Sequence, residues 1–387
     1  MTELCLESGC TSLNHVGEEL CGDNVACTMK DNFTTLVLAD GLGSGVKANI
    51  LSMLTSKILC TMAANDIDIY ECVETIIQTL PVCQERGVAY STFSIIHVNT
   101  EGKGVMFEFD NPEAIYYHQG HCQNFERTEL DVCGKKVFRT DLALEEDDII
   151  IVMSDGTIHA GIGQILNFGW ERDQIMEHLD TNIKPNMSAR AVACMLASAC
   201  NDLYVDKPGD DTTVAAVKIR KRLDVNIMVG PPVDKEKDDF YIQHFLEGPS
   251  KKIVCGGTSS TIVARYLKTE LKTSFDFPDK DVPPIGYING IDLTTEGVLT
   301  LRRLLQMLEK YISISDLTPK NFTKQDGASL LADFLFERAT HITFFVGQSV
   351  NVAHQGLPID TTMKMKLVEK IADNLRKVGK VVKLNYF

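Results

Sequence analysis

Long apolar runs are absent from this sequence. No uncharged stretch reaches the roughly 18 apolar residues that a membrane-spanning helix needs, so no transmembrane segment is expected. The opening residues, MTELCLESGC, contain no basic region followed by an apolar run, and we therefore expect no signal peptide. Internal repeats and low-complexity tracts are also absent. The sequence thus gives no indication of a membrane partner.

Paired cysteine motifs are absent as well. Twelve cysteines are spread from Cys5 to Cys255, and none of them has CxxC spacing. A reducing cytoplasm is the simplest location for so many thiols. Cys5, Cys10, Cys21 and Cys27 could form a metal cluster, but their irregular spacing favours ordinary free thiols.

Basic residues are too few to balance the acidic ones. The chain has 38 Lys and Arg against 53 Asp and Glu, which gives a formal net charge of −15. Affinity for nucleic acid comes largely from Lys and Arg that neutralise phosphates, so this balance argues against a nucleic-acid partner. An acidic protein that acts on phosphate esters needs metal ions or a local basic patch to offset repulsion.

The length of 387 residues predicts about two domains. The first half has the pattern of a β-rich core with flanking helices, an α+β domain that we assign to residues 1–222. Five of its predicted strands, from Tyr90 to Met153, resemble an antiparallel meander. The predicted strands are Asn24–Lys30, Phe33–Ala39, Tyr90–Val98, Gly104–Phe109, Ala114–His118, Lys136–Thr140, Asp148–Met153 and Thr212–Ile219, and the predicted helices are Val46–Ala64, Ile69–Leu80, Glu171–Leu179 and Ser188–Tyr204.

A break in composition separates the two halves. In the sequence GPPVDKEKDD, Pro and charged residues replace the periodic apolar residues, and we predict a linker near 222–238. The rest of the chain, residues 223–387, predicts a smaller α/β domain with a regulatory or partner-binding role. Its strand-like and helix-like runs are Lys252–Cys255, Thr261–Lys268, Val298–Tyr311, His341–Val346, Met363–Val378 and the final VVKLNYF.

Residues 251–265 of this second domain read as a strand, a glycine loop and a helix. Backbone amides at such a helix start can hold an anion. The sequence GGTSST lacks the Lys of a P-loop, however. A plain strand-to-helix turn, with Thr258 or Ser259 as the N-cap, is the alternative.

Four aspartates lie at strand edges or in glycine turns. They are Asp23 in CGDN, Asp40 in LVLADGLGSG, Asp155 in IIIVMSDGT and Asp210 in KPGDDTTVAAV. Carboxylate oxygens are hard ligands that suit Mg²⁺ or Mn²⁺, and two such ions about 3.5–4 Å apart can acidify a bridging water and neutralise phosphoryl oxygens. A single Asp-Gly is most often only a turn. Together, at the ends of apolar strands, the four predict a site for metal ions.

The ordered set GD, ADGxGxG, SDG and GDDxT resembles the metal-dependent PPM, or type 2C, protein phosphatases, in particular the bacterial branch similar to the sporulation phosphatase SpoIIE. The resemblance covers residues ~10–220 and implies an antiparallel β-sandwich flanked by helices. It also implies that Asp40 bridges two Mn²⁺ or Mg²⁺ ions and that the Gly41 carbonyl binds one of them. Asp155 and Asp210 would complete the first site, Asp23 would serve the second, and Asp211 is the alternative to Asp210. Asp40 and Asp155 are thus the expected catalytic residues, which hold the metal-activated water.

Three features near these motifs depart from the pattern or leave a choice open. The turn DGLGSG contains Ser44, which we interpret as a turn residue because no G-x-S-x-G elbow is present. We find no counterpart of the phosphate-binding arginine of the eukaryotic type 2C enzymes. His159 follows SDGT and is either a general acid or a solvent-facing loop residue.

The resemblance implies a protein serine/threonine phosphatase that hydrolyses phosphoserine or phosphothreonine. By analogy, its partner is a phosphorylated protein such as a small anti-sigma-factor antagonist, with a homodimer left open. Two alternatives are a catalytically silent phosphoprotein-binding regulator on the same fold and a two-metal hydrolase of small phosphate esters. A silent regulator would be marked by loss of metal carboxylates, and all the expected ones are present.

Overall fold

The computed structural model describes residues 4–30, 32–79, 91–185, 187–273, 283–312, 326–349 and 360–387. These residues divide into two compact units, and the chain passes from the first to the second between Lys221 and Arg222. No helix in the described ranges has the length and apolar character needed to cross a membrane. The predicted helix end at Leu80 and strand start at Tyr90 lie outside the described residues.

The first unit contains two antiparallel sheets. The first sheet has six strands in the order β2 (Asp23–Lys30), β3 (Phe33–Gly41), β4 (Ser91–Asn99), β5 (Lys103–Phe109), β9 (Lys135–Ala143) and β8 (Thr128–Val132). The second sheet has five strands in the order β1 (Leu4–Leu13), β11 (Thr212–Lys221), β10 (Ile149–Met153), β6 (Ile115–His118) and β7 (His121–Asn124).

The predicted single meander is therefore wrong. The strands β4, β5 and β9 belong to the first sheet, whereas β6 and β10 belong to the second. Both sheets of a sandwich have apolar residues on their inner faces. The alternation of apolar and polar residues along one strand therefore does not show which of the two sheets that strand joins.

Helices cover the outer face of each sheet. They are α1 (Gly45–Ala64), α2 (Ile69–Thr79), α3 (Asp155–Ile158), α4 (Arg172–Asn182) and α5 (Ala189–Leu203). On β3, Leu36 and Leu38 pack between the two sheets, while Val37 and Ala39 pack against α1 and α2. Side chains two residues apart point to the same face of a strand, so the apolar run TTLVLA serves two cores at once. The antiparallel sandwich flanked by helices is confirmed.

Helix α1 has its apolar stripe on the solvent side. Its bounds agree with the predicted helix, but the apolar residues that indicated it are exposed. The buried face consists mainly of small side chains, because α1 approaches β3 so closely that a Cβ on Gly41 would lie 2.1 Å from the carbonyl oxygen of Ala48. The exposed set is Val46, Ile50, Met53, Leu54 and Ile58.

The second unit is built on a third sheet of seven strands, mostly parallel. Their order is β14 (Lys272–Thr273), β15 (Gly286–Tyr287), β16 (Leu293–Thr295), β13 (Lys251–Cys255), β12 (Asp224–Val229), β17 (His341–Val346) and β18 (Val381–Tyr386). The strands from β16 to β18 are parallel to one another, and β14 and β15 form an antiparallel edge. This arrangement confirms the predicted α/β class for the second unit.

Helices pack on both faces of the third sheet. One face is covered by α6 (Asp238–Leu246) and α7 (Gly257–Tyr266). The other is covered by α8 (Val298–Ile312), α9 (Gly327–Ala332) and α10 (Asp360–Lys377). The helices change faces where the strand order reverses, between β12 and β17, which makes this a doubly wound sheet.

The predicted linker at 222–238 is wrong in part. Its beginning contains β12, a central strand of the third sheet, and the Pro-rich and charged residues form the connection from β12 to α6. A central parallel strand is buried on both faces and therefore appears in the sequence only as a short apolar run. The run VNIMV is short enough to be mistaken for part of a connection.

Candidate metal centre

Asp23 and Asp40 lie directly opposite each other at one end of the first sheet. Asp23 is the first residue of β2, Asp40 is the penultimate residue of β3, and the two are partners in the antiparallel ladder. Asp23 is 3 % exposed, whereas Asp40 is half-buried. Gly41 follows as the last residue of β3, and its N–H donates to the Gly22 carbonyl over 3.3 Å. The register of this hairpin therefore fixes both carboxylates and the Gly41 backbone.

Asp155 and Asp210 come together at one end of the second sheet. Asp155 begins α3 just after β10, Asp210 precedes β11 by two residues, and β10 and β11 are antiparallel neighbours. One ligand atom from each of Asp155, His159 and Asp210 lies within 4.8 Å of the others. The Nδ1 atom of His159 is 3.9 Å from Oδ2 of Asp155. These three side chains could hold a metal ion.

Ser154 connects the two sheets at this end of the sandwich. Its buried hydroxyl donates a hydrogen bond of 2.7 Å to Oδ2 of Asp23. The same hydroxyl accepts a hydrogen bond of 2.8 Å from the N–H of Thr213. Asp23 of the first sheet is thereby held against β10 and β11 of the second.

The carboxylates of this cluster repel one another. Burial raises the pKa of Asp40, and the charges of Asp23, Asp155 and Asp210 raise it further. Burial is also the main reason for the raised pKa of Asp23, to which the charge of Asp211 adds. Burial and then the Asp155 charge raise the pKa of Asp210. Like charges gathered in a partly buried space favour a cation among them.

The donor set fits a hard divalent cation. The four predicted aspartates contribute only carboxylate oxygens, and none forms an ion pair with Lys or Arg among the residues that the structure describes. The Oδ1 atom of Asp23 is buried and has no hydrogen-bond partner there. Mg²⁺ and Mn²⁺ prefer such oxygen ligands and keep several waters, which suits a site that is partly open.

The neighbouring Asp211 is held differently from Asp210. It is 3 % exposed, and its Oδ1 accepts a 3.0 Å hydrogen bond from the N–H of His15. Its Oδ2 would lie 2.6 Å from a Cβ on Gly22 and has no partner in the described ranges. Asp210, not Asp211, belongs to the group with Asp155 and His159. The geometry therefore favours Asp210 as the ligand.

Glycine allows the loops of the cluster to approach one another. A Cβ on Gly156 would lie 2.2 Å from the carbonyl oxygen of Asp211, so the SDG and GDD segments are in backbone contact. Ser44 precedes α1 as its N-cap residue, and its hydroxyl donates to Oε1 of Glu18 over 3.2 Å. This exposed position agrees with the interpretation of Ser44 as a turn residue.

We expect Ser154→Ala to destabilise the first unit. The change removes the partner of two groups, the buried Asp23 carboxylate and the Thr213 N–H, and should lower the free energy of unfolding by about 2 kcal/mol. Thermal unfolding should therefore shift downward by about 4–8 °C.

The matched control is Ser44→Ala. Its hydroxyl is exposed, and the expected change is within about 0.5 kcal/mol. Equal stability of the two variants would mean that the hydroxyl of Ser154 does not hold the two sheets together.

Two contributors to the cluster were not singled out as ligands from the sequence. Ser154 gave no signal, because its partners Asp23 and Thr213 are 131 and 59 residues away. For His159 the sequence allows either a general acid or a loop residue. Its spacing of four from Asp155 was the available signal, since residues i and i+4 lie on one side of a helical turn.

A family model matches most of the first unit. The family model for "Stage II sporulation protein E (SpoIIE)" matches residues 30–220. A comparison with curated protein sequences finds no match.

Several solved structures are similar to this chain. A structure of the PP2C phosphatase domain of SpoIIE from Bacillus subtilis, with a fragment of its regulatory domain, aligns at 18% identity and a TM-score of 0.50, over 57% of this chain and 65% of that one. The SpoIIE phosphatase domain of the same organism, in a crystal form without domain swapping, aligns at 17% identity and a TM-score of 0.45. This alignment covers 57% of this chain and 95% of that one. RsbX in complex with magnesium aligns at 19% identity and a TM-score of 0.41, over 57% of this chain and 100% of that one. The first of these likenesses shows a shared fold.

Proposed function

We propose that the first unit is a metal-dependent protein serine/threonine phosphatase, because residues 30–220 match the SpoIIE family model and the chain shares the fold of a PP2C phosphatase domain. It would hydrolyse phosphoserine or phosphothreonine. The observation that carries this proposal is the gathering of Asp23, Asp40, Asp155 and Asp210 at one end of the sandwich, with no Lys or Arg partner among the described residues.

Each aspartate has a proposed role in holding two divalent ions, Mn²⁺ or Mg²⁺. Asp40 is close enough to the other three carboxylates to be affected by their charges and would bridge the ions, and the Gly41 carbonyl beside it would bind one of them. Asp155 and Asp210 would complete one site, and Asp23 would serve the other. When bound, the ions would acidify a water molecule and neutralise the oxygens of the phosphoryl group.

The protein's own residues would set the geometry of this reaction. The β2–β3 register orients Asp23 and Asp40, and Ser154 fixes the Asp23 carboxylate through a short hydrogen bond. Rigid placement of ligands by their neighbours is what keeps a metal site ready for chemistry. His159 is close enough to Asp155 to act as an additional ligand or to orient a water.

The partner in this proposal is a phosphorylated protein, with a small anti-sigma-factor antagonist as the kind expected from the resemblance. A homodimer remains part of the same hypothesis. A cytoplasmic location is proposed as well. The twelve cysteines, none with CxxC spacing, support a reducing compartment.

The direct test is phosphate release from phosphoserine and phosphothreonine peptides by the full chain. We expect release with Mn²⁺ or Mg²⁺ and a loss of at least about 100-fold in EDTA, because bound ions supply several kcal/mol of transition-state stabilisation. The same release with and without chelator would contradict the proposal.

Parallel assays with other phosphate esters distinguish this proposal from its two alternatives. Faster turnover of a nucleotide or a sugar phosphate than of the peptides would indicate a hydrolase of small esters. No turnover of any substrate, together with binding of the phosphopeptide, would indicate a silent regulator.

A further inference from the structure

The carboxyl edge of the third sheet carries a concentration of glycine. Gly230, Gly256 and Gly347 directly follow β12, β13 and β17, respectively, and Gly297 follows β16 by two residues. These four strands are adjacent and parallel, so their carboxyl ends lie at one edge. In doubly wound sheets this edge is where ligands bind, and glycine allows a ligand to approach the backbone closely.

Two of these loops are in contact. Gly256 has a φ of +124°, a conformation that L side chains rarely adopt, and its N–H donates to the Thr295 carbonyl over 2.9 Å. A Cβ on Gly297 would lie 3.4 Å from the Cα of Gly256. Apart from its chain neighbours and the backbone of its own helix, no described residue has a heavy atom within 4 Å of a Cβ built on Gly257. The loop from β13 to α7 is therefore packed on one side and open at Gly257.

Helix α7 begins in this loop without a side-chain cap. Helices α8 and α9 are capped by carboxylates, since Glu296 accepts from the Leu299 N–H and Asp326 accepts from the Ala328 N–H. Free N–H groups and the helix dipole make an uncapped N-terminus attractive to an anion. The carboxylate of Glu296 is directed to α8 by this hydrogen bond.

A buried hydroxyl without a partner marks the same turn. Ser259, the third residue of α7, is 0 % exposed, and its Oγ has no hydrogen-bond partner within the described part of the chain. This oxygen would lie 3.5 Å from a Cβ on Gly256, so it points back into the loop. A buried, unpaired hydroxyl costs free energy, and a ligand that accepts its hydrogen bond would remove that cost.

We propose that the second unit binds a phosphate-bearing small molecule, with the phosphate at the N-terminus of α7, where the backbone N–H groups and the Ser259 hydroxyl donate to its oxygens. The loop has no lysine, so the backbone supplies the recognition. Because Ser259 Oγ is covered, binding involves movement of the glycine loop. This site belongs to the second unit alone and is independent of the phosphatase proposal.

The test is isothermal titration calorimetry of the full chain with inorganic phosphate, pyrophosphate and AMP as separate probes. All titrations contain EDTA, so that the candidate metal centre does not contribute through bound ions. We expect saturable binding of at least one probe, weakened by about 10-fold or more in Ser259→Ala, since a hydrogen bond to a charged group contributes this much. Thr261→Ala on the same helix, with an exposed hydroxyl, should bind as the wild type does.

A second pair of variants tests the helix N-terminus by charge. Gly257→Asp places a carboxylate in the open position, where it stabilises the free protein and repels phosphate, whereas Gly257→Asn has the same shape without the charge. We expect the Asp variant to lose binding by about 10-fold relative to the Asn variant. Absence of binding by every probe at millimolar concentration, or equal binding by wild type, Ser259→Ala and Gly257→Asp, would overturn the proposal.

Discussion

Asp40→Asn is expected to reduce metal-dependent phosphate release by at least about 100-fold. Asp40 lies opposite Asp23 in the β2–β3 ladder and is surrounded by the charges of Asp155 and Asp210, so it is the proposed bridge between two ions. Loss of neighbours that merely orient a ligand already costs 10–100-fold in affinity or activity, and loss of a bridging ligand should cost more. Initial rates over a range of Mn²⁺ concentrations measure the effect.

The same variant should be more stable than the wild type when no metal is present. The raised pKa of Asp40 means that its charged form is disfavoured in the folded protein, so stability falls as pH rises above the ordinary pKa of Asp. Neutral Asn lacks this penalty. We therefore expect thermal unfolding in EDTA to occur at a higher temperature in Asp40→Asn, and added Mn²⁺ to raise it less than in the wild type.

The control is Asp141→Asn on β9, where the carboxylate is exposed and pairs with Arg139. It should change neither the rate nor the response to Mn²⁺. Unchanged phosphate release in Asp40→Asn would contradict the assigned role of Asp40.

Gly41→Ala should strongly destabilise the first unit. The new Cβ would lie 2.1 Å from the carbonyl oxygen of Ala48 and 2.6 Å from its carbonyl carbon, so α1 must move away from β3. Overpacking against backbone costs about 3 kcal/mol, which corresponds to a fall of about 6–12 °C in the unfolding temperature of a domain of this size. Chemical denaturation with urea provides the free energy.

Gly209→Ala is the matched control for this prediction. Among the described residues beyond its chain neighbours, its Cβ would meet Tyr204 alone, at the ordinary contact distance of 3.6 Å, and its φ is not positive. We expect a change within about 0.5 kcal/mol. A Gly41→Ala variant as stable as this control would mean that α1 is not tightly packed on β3.

The sandwich could be predicted because its strands carry local signals. Runs such as TTLVLA and IIIVM are apolar, short and rich in β-branched residues, and they became β3 and β10. The division of strands between the two sheets could not be predicted, because it depends on pairing between distant segments. The strand β1 pairs with β11 roughly 200 residues away, and nothing in its own sequence shows this.

The orientation of α1 shows a second limit of the sequence. Apolar spacing indicated the helix correctly, yet Ile50 and Leu54 face solvent, while Ser52 and Ser56 face the sheet. Close approach of the helix to Gly41 selects small side chains on the buried face. Periodicity locates a helix but does not decide which of its faces is covered.

The candidate site was more accessible to sequence reasoning than the fold around it. Each aspartate lies near the end of a strand that the local sequence pattern predicts. Asp23, Asp40, Asp155 and Asp210 could therefore be named as candidates from the sequence. Their mutual distances depend on how two sheets meet, as does the role of Ser154. The sequence does not distinguish Asp210 from Asp211, because the two are adjacent, and only the folded backbone brings the Asp210 carboxylate close to Asp155 and His159.

The most direct measurement is a crystal structure of the full chain grown with Mn²⁺, with anomalous scattering to locate the ions. Two anomalous peaks about 3.5–4 Å apart are predicted, both in contact with Asp40, with Asp155 and Asp210 on one and Asp23 on the other. Fully occupied Mn²⁺ elsewhere in the crystal with none at Asp40, or a single ion held only by Asp155, His159 and Asp210, would contradict the two-metal account.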